Sequence, residues 1–203
     1  GLGFAMISMQ QDSKLAVKYL VQSLSMQLDG LPNNIMLFVQ TVSCIADILV
    51  EDHKFRHGLI LYKQILKIMD HIQVGPKTTG TLKRRSDIYN NIGYIYSSIG
   101  RLSMALKYYK LSLEIDTDMM PSNHPKIALS FNNIGLIYLK KGDFKTAEKY
   151  LQQANLIRQE SLPHEDHPDL AQMYNNLGAV QYEQEHFDEA LLYFHKALEI
   201  QLK

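Results

Sequence analysis

Three near-copies of one five-residue phrase recur along this chain at almost constant intervals: Tyr89-Asn90-Asn91-Ile92-Gly93, Phe131-Asn132-Asn133-Ile134-Gly135 and Tyr174-Asn175-Asn176-Leu177-Gly178. Their glycines lie 42 and 43 residues apart. A fixed period of this size marks a stack of supersecondary units, none of which buries its apolar face without a neighbour. That constraint displaces the one or two globular domains that a length of 203 residues would otherwise suggest.

The register continues beyond each glycine. Twelve residues on stand Ala105, Ala147 and Ala190, then Tyr109, Leu151 or Phe194, then Ser112, Ala154 or Ala197. Steps of four and three place each set on one face of a helix, where the small residues admit a second helix at close range. Each unit is therefore expected to be a helical hairpin. The first helix of the middle unit has its own stripe, Ala128, Phe131, Ile134, Ile137 and Tyr138, which puts Tyr138 and its counterpart Tyr96 in the core. Its turn is Lys141-Gly142-Asp143, with Gly142 suited to a left-handed helix end and Asp143 to capping the next helix. Ile99-Gly100-Arg101 serves the preceding unit, and Gln184-Glu185-His186 gives a weaker turn signal in the last. Pro121 to Pro125 and Pro163 to Pro168 separate the units, one proline ending a helix and the other opening the next.

The pattern fades upstream. Val42, Ile45 and Ala46, then Gly58, Tyr62 and Ile65, mark a diverged hairpin, and Ala16, Leu20 and Ser23 repeat the second-helix set once more. The expected division is a partial unit over 1–32, a diverged unit over 33–72, a connection over 73–82, and regular units over 83–123, 124–166 and 167–203. An array that opens mid-unit and closes on Ala197-Leu198-Glu199-Ile200, with no polar capping helix, is expected to continue in the native protein.

Composition narrows the choice of partner. Twenty-one basic and twenty-one acidic side chains cancel, so no long-range field gathers nucleic acid or an anionic membrane, and neither is expected as a partner. No run approaches the roughly 20 apolar residues that cross a bilayer, and residues 1–10 lack the features of a signal peptide. Cys44 is the only cysteine, which fits a reducing compartment, and the cytoplasm is the expected location.

Several chemistries are weighed and set aside. Gly75 to Thr81 superficially evokes a phosphate-binding loop, but Thr81 stands where the lysine belongs and no strand precedes it. Lys83-Arg84-Arg85-Ser86 looks like a basophilic kinase site, but a solvated helix start is the preferred reading. His164-Glu165-Asp166-His167 gathers potential zinc ligands, yet the flanking prolines favour a turn and a helix cap. Cys44 lies on an apolar face as a packed thiol. No catalytic residue, metal site or cofactor is expected.

A glycine after Leu or Ile, a tyrosine three residues later, an alanine at twelve and an aromatic at sixteen resemble the tetratricopeptide repeat. The 42-residue unit, with His124-Pro125-Lys126-Ile127-Ala128 and His167-Pro168-Asp169-Leu170-Ala171 opening first helices, is similar to the longer repeats of kinesin light chains, which are cargo- and adaptor-binding arrays. The resemblance implies an all-α solenoid of antiparallel hairpins in a right-handed superhelix, whose first helices line a concave groove. Groove positions carried over are Asp87, Asn90, Tyr94 and Ser97 in one unit, Leu129, Asn132, Leu136 and Lys140 in the next, and Gln172, Asn175, Tyr182 and Glu183 in the last. On this view Asn90, Asn132 and Asn175 form a ladder of amides that clamps a peptide backbone, with apolar contact from Tyr94, Leu136 and Tyr182. Each asparagine set has a second reading, in which it ties adjacent helices together; that reading is preferred for Asn91, Asn133 and Asn176 and is the lesser alternative for Asn90, Asn132 and Asn175. Lys140 is the one basic side chain among these positions, so an extended or helical internal segment is expected as ligand, and Asn132→Ala with Asn175→Ala is expected to abolish capture without loss of helix.

The function this implies is a non-catalytic scaffold that binds a protein or peptide. Two other readings stay open: the regulatory or targeting region of a larger enzyme, and a self-association module pairing through the last helix.

Overall fold

The computed structural model of the chain describes residues 35–71, 79–161 and 167–202, which form eight α-helices. The chain divides into two compact units, with the boundary after Thr78. Ala16, Leu20 and Ser23 lie outside the described residues.

The first unit contains α1 (Ile35–Glu51) and α2 (Phe55–His71), packed as a hairpin. Its core holds the diverged repeat positions: Val42, Ile45, Ala46, Tyr62 and Ile65 are buried, and so is Gly58. The Tyr62 hydroxyl donates to Asp47, tying the two helices together. Cys44 is half-buried and packs against Ile45 and Ile48.

The second unit is an α-solenoid of three hairpins: α3 (Thr79–Ser98) with α4 (Leu102–Met119), α5 (Pro125–Lys140) with α6 (Phe144–Ser161), and α7 (Pro168–Glu183) with α8 (Phe187–Gln201). α4 packs on α5 and α6 on α7, so each second helix is shared with the following hairpin. Helix α3 starts at Thr79, four residues ahead of the boundary expected from sequence, because Thr81 and Leu82 are already half-buried and continue the packed face.

The local signals act as expected of them. His124 and His167 sit in extended backbone before Pro125 and Pro168, and each imidazole Nδ1 accepts the backbone N–H two residues on, at 3.1 and 3.2 Å. Gly142 closes α5 at φ 77°, and Asp143 Oδ1 accepts the Thr146 N–H at 3.2 Å to open α6. In the last hairpin Glu185 takes the same left-handed position at φ 62°, although it carries a Cβ.

The repeated glycine is where first and second helices come closest. A Cβ on Gly135 would lie 2.7 Å from Leu151 Cγ, and one on Gly93 would lie 2.7 Å from the Tyr109 ring. Ala105, Ala147 and Ala154 are fully buried on the opposing faces. Aromatic pairs seal the other side of each hairpin: Tyr96 stacks on Tyr108 and Tyr138 on Tyr150, with centroids 5.6 and 5.5 Å apart. Tyr96 is in the core, whereas Tyr138 is only half-buried, since its hydroxyl reaches the surface and accepts from Lys110 Nζ at 3.3 Å. The third hairpin replaces this tyrosine with Gln181, which donates to Glu148 Oε1 of the preceding hairpin at 2.7 Å.

Among the described residues no helix is long and apolar enough to cross a membrane, and no group of three or more His, Cys, Asp or Glu is placed to hold a metal ion. His164, Glu165 and Asp166 lie outside the described residues, as do residues 72–78 of the glycine-rich segment.

Candidate partner-binding site

The first helices α3, α5 and α7 stand side by side, and polar side chains stitch them together. Asp87 and Lys126 form an ion pair at 2.7 Å, Asn133 Nδ2 donates to Asn90 Oδ1 at 3.1 Å, and Lys140 Nζ donates to Ser97 Oγ at 3.2 Å. These three bonds join α3 to α5 at intervals of seven residues along α5, which is two helical turns. Between α5 and α7, Asn176 Nδ2 donates to Asn132 Oδ1 at 2.7 Å.

The two asparagines of each phrase therefore interlock: the second of one hairpin donates to the first of the hairpin before. Asn132 is 4% exposed as a result. Five of the twelve groove positions (Asp87, Asn90, Ser97, Asn132 and Lys140) thus use a polar atom to hold neighbouring hairpins together. Asn132→Ala removes the acceptor of a largely buried amide and is expected to lower stability by about 1–2 kcal/mol in urea unfolding. It tests hairpin stacking before it tests partner capture.

The remaining positions form the surface. Tyr94, Leu129 and Tyr182 are 49%, 47% and 57% exposed, Leu136 and Asn175 are half-buried, and Gln172 and Glu183 are exposed. Tyr94, Leu129 and Leu136 come from adjacent helices on the stitched side, while Tyr182 sits near the end of α7 with its ring edge-on to Phe187 at 5.6 Å. Burial, with a smaller contribution from Tyr94, holds the Tyr109 hydroxyl well above the usual phenol range. Burial, then Glu148 and Tyr174, raises Tyr193 in the same way. Both stay neutral across physiological pH, so neither brings a titration to this face.

A second polar constellation, absent from the sequence reading, lies where α3, α4 and α5 meet. Ser86 Oγ donates to Asp116 Oδ1 at 2.6 Å, Ser112 Oγ donates to the Ser86 carbonyl at 2.9 Å, and Lys126 Nζ donates to Ser86 Oγ at 2.9 Å and to Asp116 Oδ1 at 3.0 Å. Ser86, Ser112 and Asp116 are fully buried. A hydroxyl in that position is closed to a kinase while α3 is folded; Lys83-Arg84-Arg85-Ser86 lies in the second turn of α3, past its start at Thr79, and its serine faces inward where a solvated helix start was expected. The sequence signal was available: the register offers alanine at the next two places equivalent to Ser86, Ala128 and Ala171, so the serine is the departure.

Comparisons with known proteins agree with this architecture. A family model described as Tetratricopeptide repeat matches residues 84–160 and again 126–203. Nephrocystin-3 of Xenopus laevis is 26% identical over 128 residues, covering 55% of this chain and 10% of the relative, and human nephrocystin-3 is 30% identical over 69 residues. The chain covers 10% of the length of the Xenopus laevis relative and 5% of the human one. Among solved structures, BtubC (BKLC) from P. vanneervenii is similar with a TM-score of 0.84 at 22% identity, covering 96% of this chain and 75% of that one. A putative kinesin light chain with nearly identical TPR-like repeats from Podosopora anserina has a TM-score of 0.76 at 18% identity, covering 98% and 92%. At these identities the structural likeness is one of fold.

Proposed function

Because this chain belongs to the tetratricopeptide repeat family, we propose that it is a non-catalytic scaffold that holds an internal segment of a partner protein along the face of α3, α5 and α7. The observation that carries this reading is the partly exposed apolar set Tyr94, Leu129 and Tyr182, set beside side chains that are already committed to joining the hairpins. Polar stitches hold the platform rigid, and the apolar positions between them take up ligand side chains. Preorganisation of this kind limits the ordering cost of binding. The ligand is an extended or helical stretch with apolar side chains, because Lys140 shares its ammonium with Ser97 and no cluster of cations stands among the twelve positions to clamp a terminal carboxylate.

The experiment is affinity capture by the whole chain, with the bound segment mapped by crosslinking and resynthesised for titration. Leu129→Asp combined with Tyr182→Ala is expected to weaken that peptide by about 30-fold, equivalent to about 2 kcal/mol, with the thermal midpoint nearly unchanged. Equal affinity for the doubly substituted chain would contradict the assignment of this face.

A further inference from the structure

The two junctions between hairpins of the second unit carry the same ion pair with its polarity reversed. At the first junction the second helix α4 supplies the anion, Asp116, and the next first helix α5 supplies the cation, Lys126, at 3.0 Å. At the second junction α6 supplies the cation, Arg158, and α7 supplies the anion, Asp169. In the repeat register Asp116 is equivalent to Arg158, and Lys126 to Asp169. The charges have exchanged helices at equivalent positions of the repeat.

Both pairs are partly withdrawn from water: the Asp116 side chain is fully buried, Lys126 and Arg158 are 19% exposed, and Asp169 is 37% exposed. Each junction also leaves one buried polar atom of its charged pair without a hydrogen-bond partner among the described residues, Asp116 Oδ2 in one and Arg158 Nε in the other. Charges buried with incomplete satisfaction are a poor way to gain stability over the alanine-rich packing used elsewhere in these repeats, and the best-attested role of such groups is to select one register among similar ones.

We infer that the reversed pairs are an order code, which lets hairpin two follow hairpin one and hairpin three follow hairpin two while rejecting the other pairings. The arithmetic of sign is direct. Were the first hairpin to stack on the third, in the same molecule or in a second copy, Asp116 would meet Asp169. Were the second hairpin to stack on the second hairpin of another copy, Arg158 would meet Lys126. Both arrangements bring like charges together in a partly dehydrated contact, where the repulsion is costly. The small residues add little discrimination, because Ala105 and Ala147 occupy the same places in successive hairpins, whereas the sign of the charge differs between the junctions. The remaining charged group at the first junction, Asp87, contacts Lys126 at 2.7 Å and reinforces the same polarity; its equivalents Leu129 and Gln172 are neutral.

The test makes the two junctions alike and then unlike again. All variants, and the parent they are compared with, carry D87N, which removes the other anion that faces residue 126; in the double variant D116R/K126D both junctions then have the cation on the second helix, so the skipped and repeated stackings become charge-matched. After refolding from denaturant at high protein concentration, size-exclusion chromatography with light scattering is expected to show about a tenfold larger fraction of dimers and higher oligomers than the parent chain. The other reversal, R158D/D169R, reaches uniform polarity from the opposite side and is expected to behave in the same way, which covers the case in which one double variant fails to fold. The quadruple variant reverses both junctions, restores their opposition and is expected to refold as the parent does. A pair that merely stabilises the fold would leave the quadruple variant at least as prone to misassembly as the doubles. That outcome, or folded double variants that stay as monomeric as the parent, would overturn the inference.

Discussion

Gly135→Val is expected to destabilise the three-hairpin unit by about 3 kcal/mol, at the upper end of what overpacking costs a close-packed core. A Cβ at this position meets Leu151 Cγ at 2.7 Å and Cδ2 at 2.9 Å, with the Ala147 carbonyl at 3.3 Å behind them. Leu151 is 1% exposed and packed with Ala147, Leu177 and Val180, so it has nowhere to move. Leu151→Ala alone is expected to cost about 3 kcal/mol through lost burial and the cavity left behind. The two changes share one space, so the double variant is expected to cost clearly less than the sum, and urea unfolding followed by circular dichroism measures that coupling. Gly178→Val supplies the contrast: its neighbour Phe194 is 38% exposed and is free to swing outward, so the penalty is expected to fall to about 1 kcal/mol. Equal penalties at the two glycines would show that helix propensity, not the close approach, sets the cost.

Lys126→Met is the second large effect, an expected loss of about 3–5 kcal/mol. The substitution preserves most of the aliphatic stem but removes the ammonium that faces both Asp116 and Asp87. Asp116 is then a fully buried carboxylate whose one bonded oxygen is left with the Ser86 hydroxyl alone. Replacing the pair together, as Lys126→Met with Asp116→Leu, is expected to recover most of the loss, because an apolar contact replaces a buried charge pair without leaving either ion alone. Lys54→Met, which removes the exposed bridge to Asp52, is expected to change stability by less than about 0.5 kcal/mol. Thermal or urea midpoints of these three variants and the parent decide the matter: similar losses for Lys54→Met and Lys126→Met would mean that burial does not govern these pairs.

Much of the architecture is legible because repetition prints the same packing constraint several times. One glycine in a helix is ambiguous, but Gly93, Gly135 and Gly178, each followed twelve residues later by an alanine, specify a contact between two helices. The same logic located the caps, since a left-handed turn needs a residue such as Gly142 and a first-turn proline needs a preceding residue in extended backbone, here His124. Legibility failed where an amide has two uses. Asn132 sits at a groove position by register, yet its oxygen accepts from Asn176 and its side chain is buried. Both roles place the same residue at the same spacing, and only the position of the neighbouring helix distinguishes them. Ser86 shows the converse, a residue that looks like a modification site in a linear motif and turns out to face a buried aspartate.

By itself the sequence determined that this protein is a stack of helical hairpins, and which small residues set the distance between the helices of each. These follow from short-range periodicity and backbone chemistry, which act within one unit. Tertiary structure alone decided how units meet: which asparagine pairs with which, that Lys126 gathers Asp87, Asp116 and Ser86 from two other helices, and that the next junction carries the reverse charge. Such contacts join side chains ten to forty-four residues apart, and the energy of a charge or an amide depends on what surrounds it, which a linear pattern does not contain.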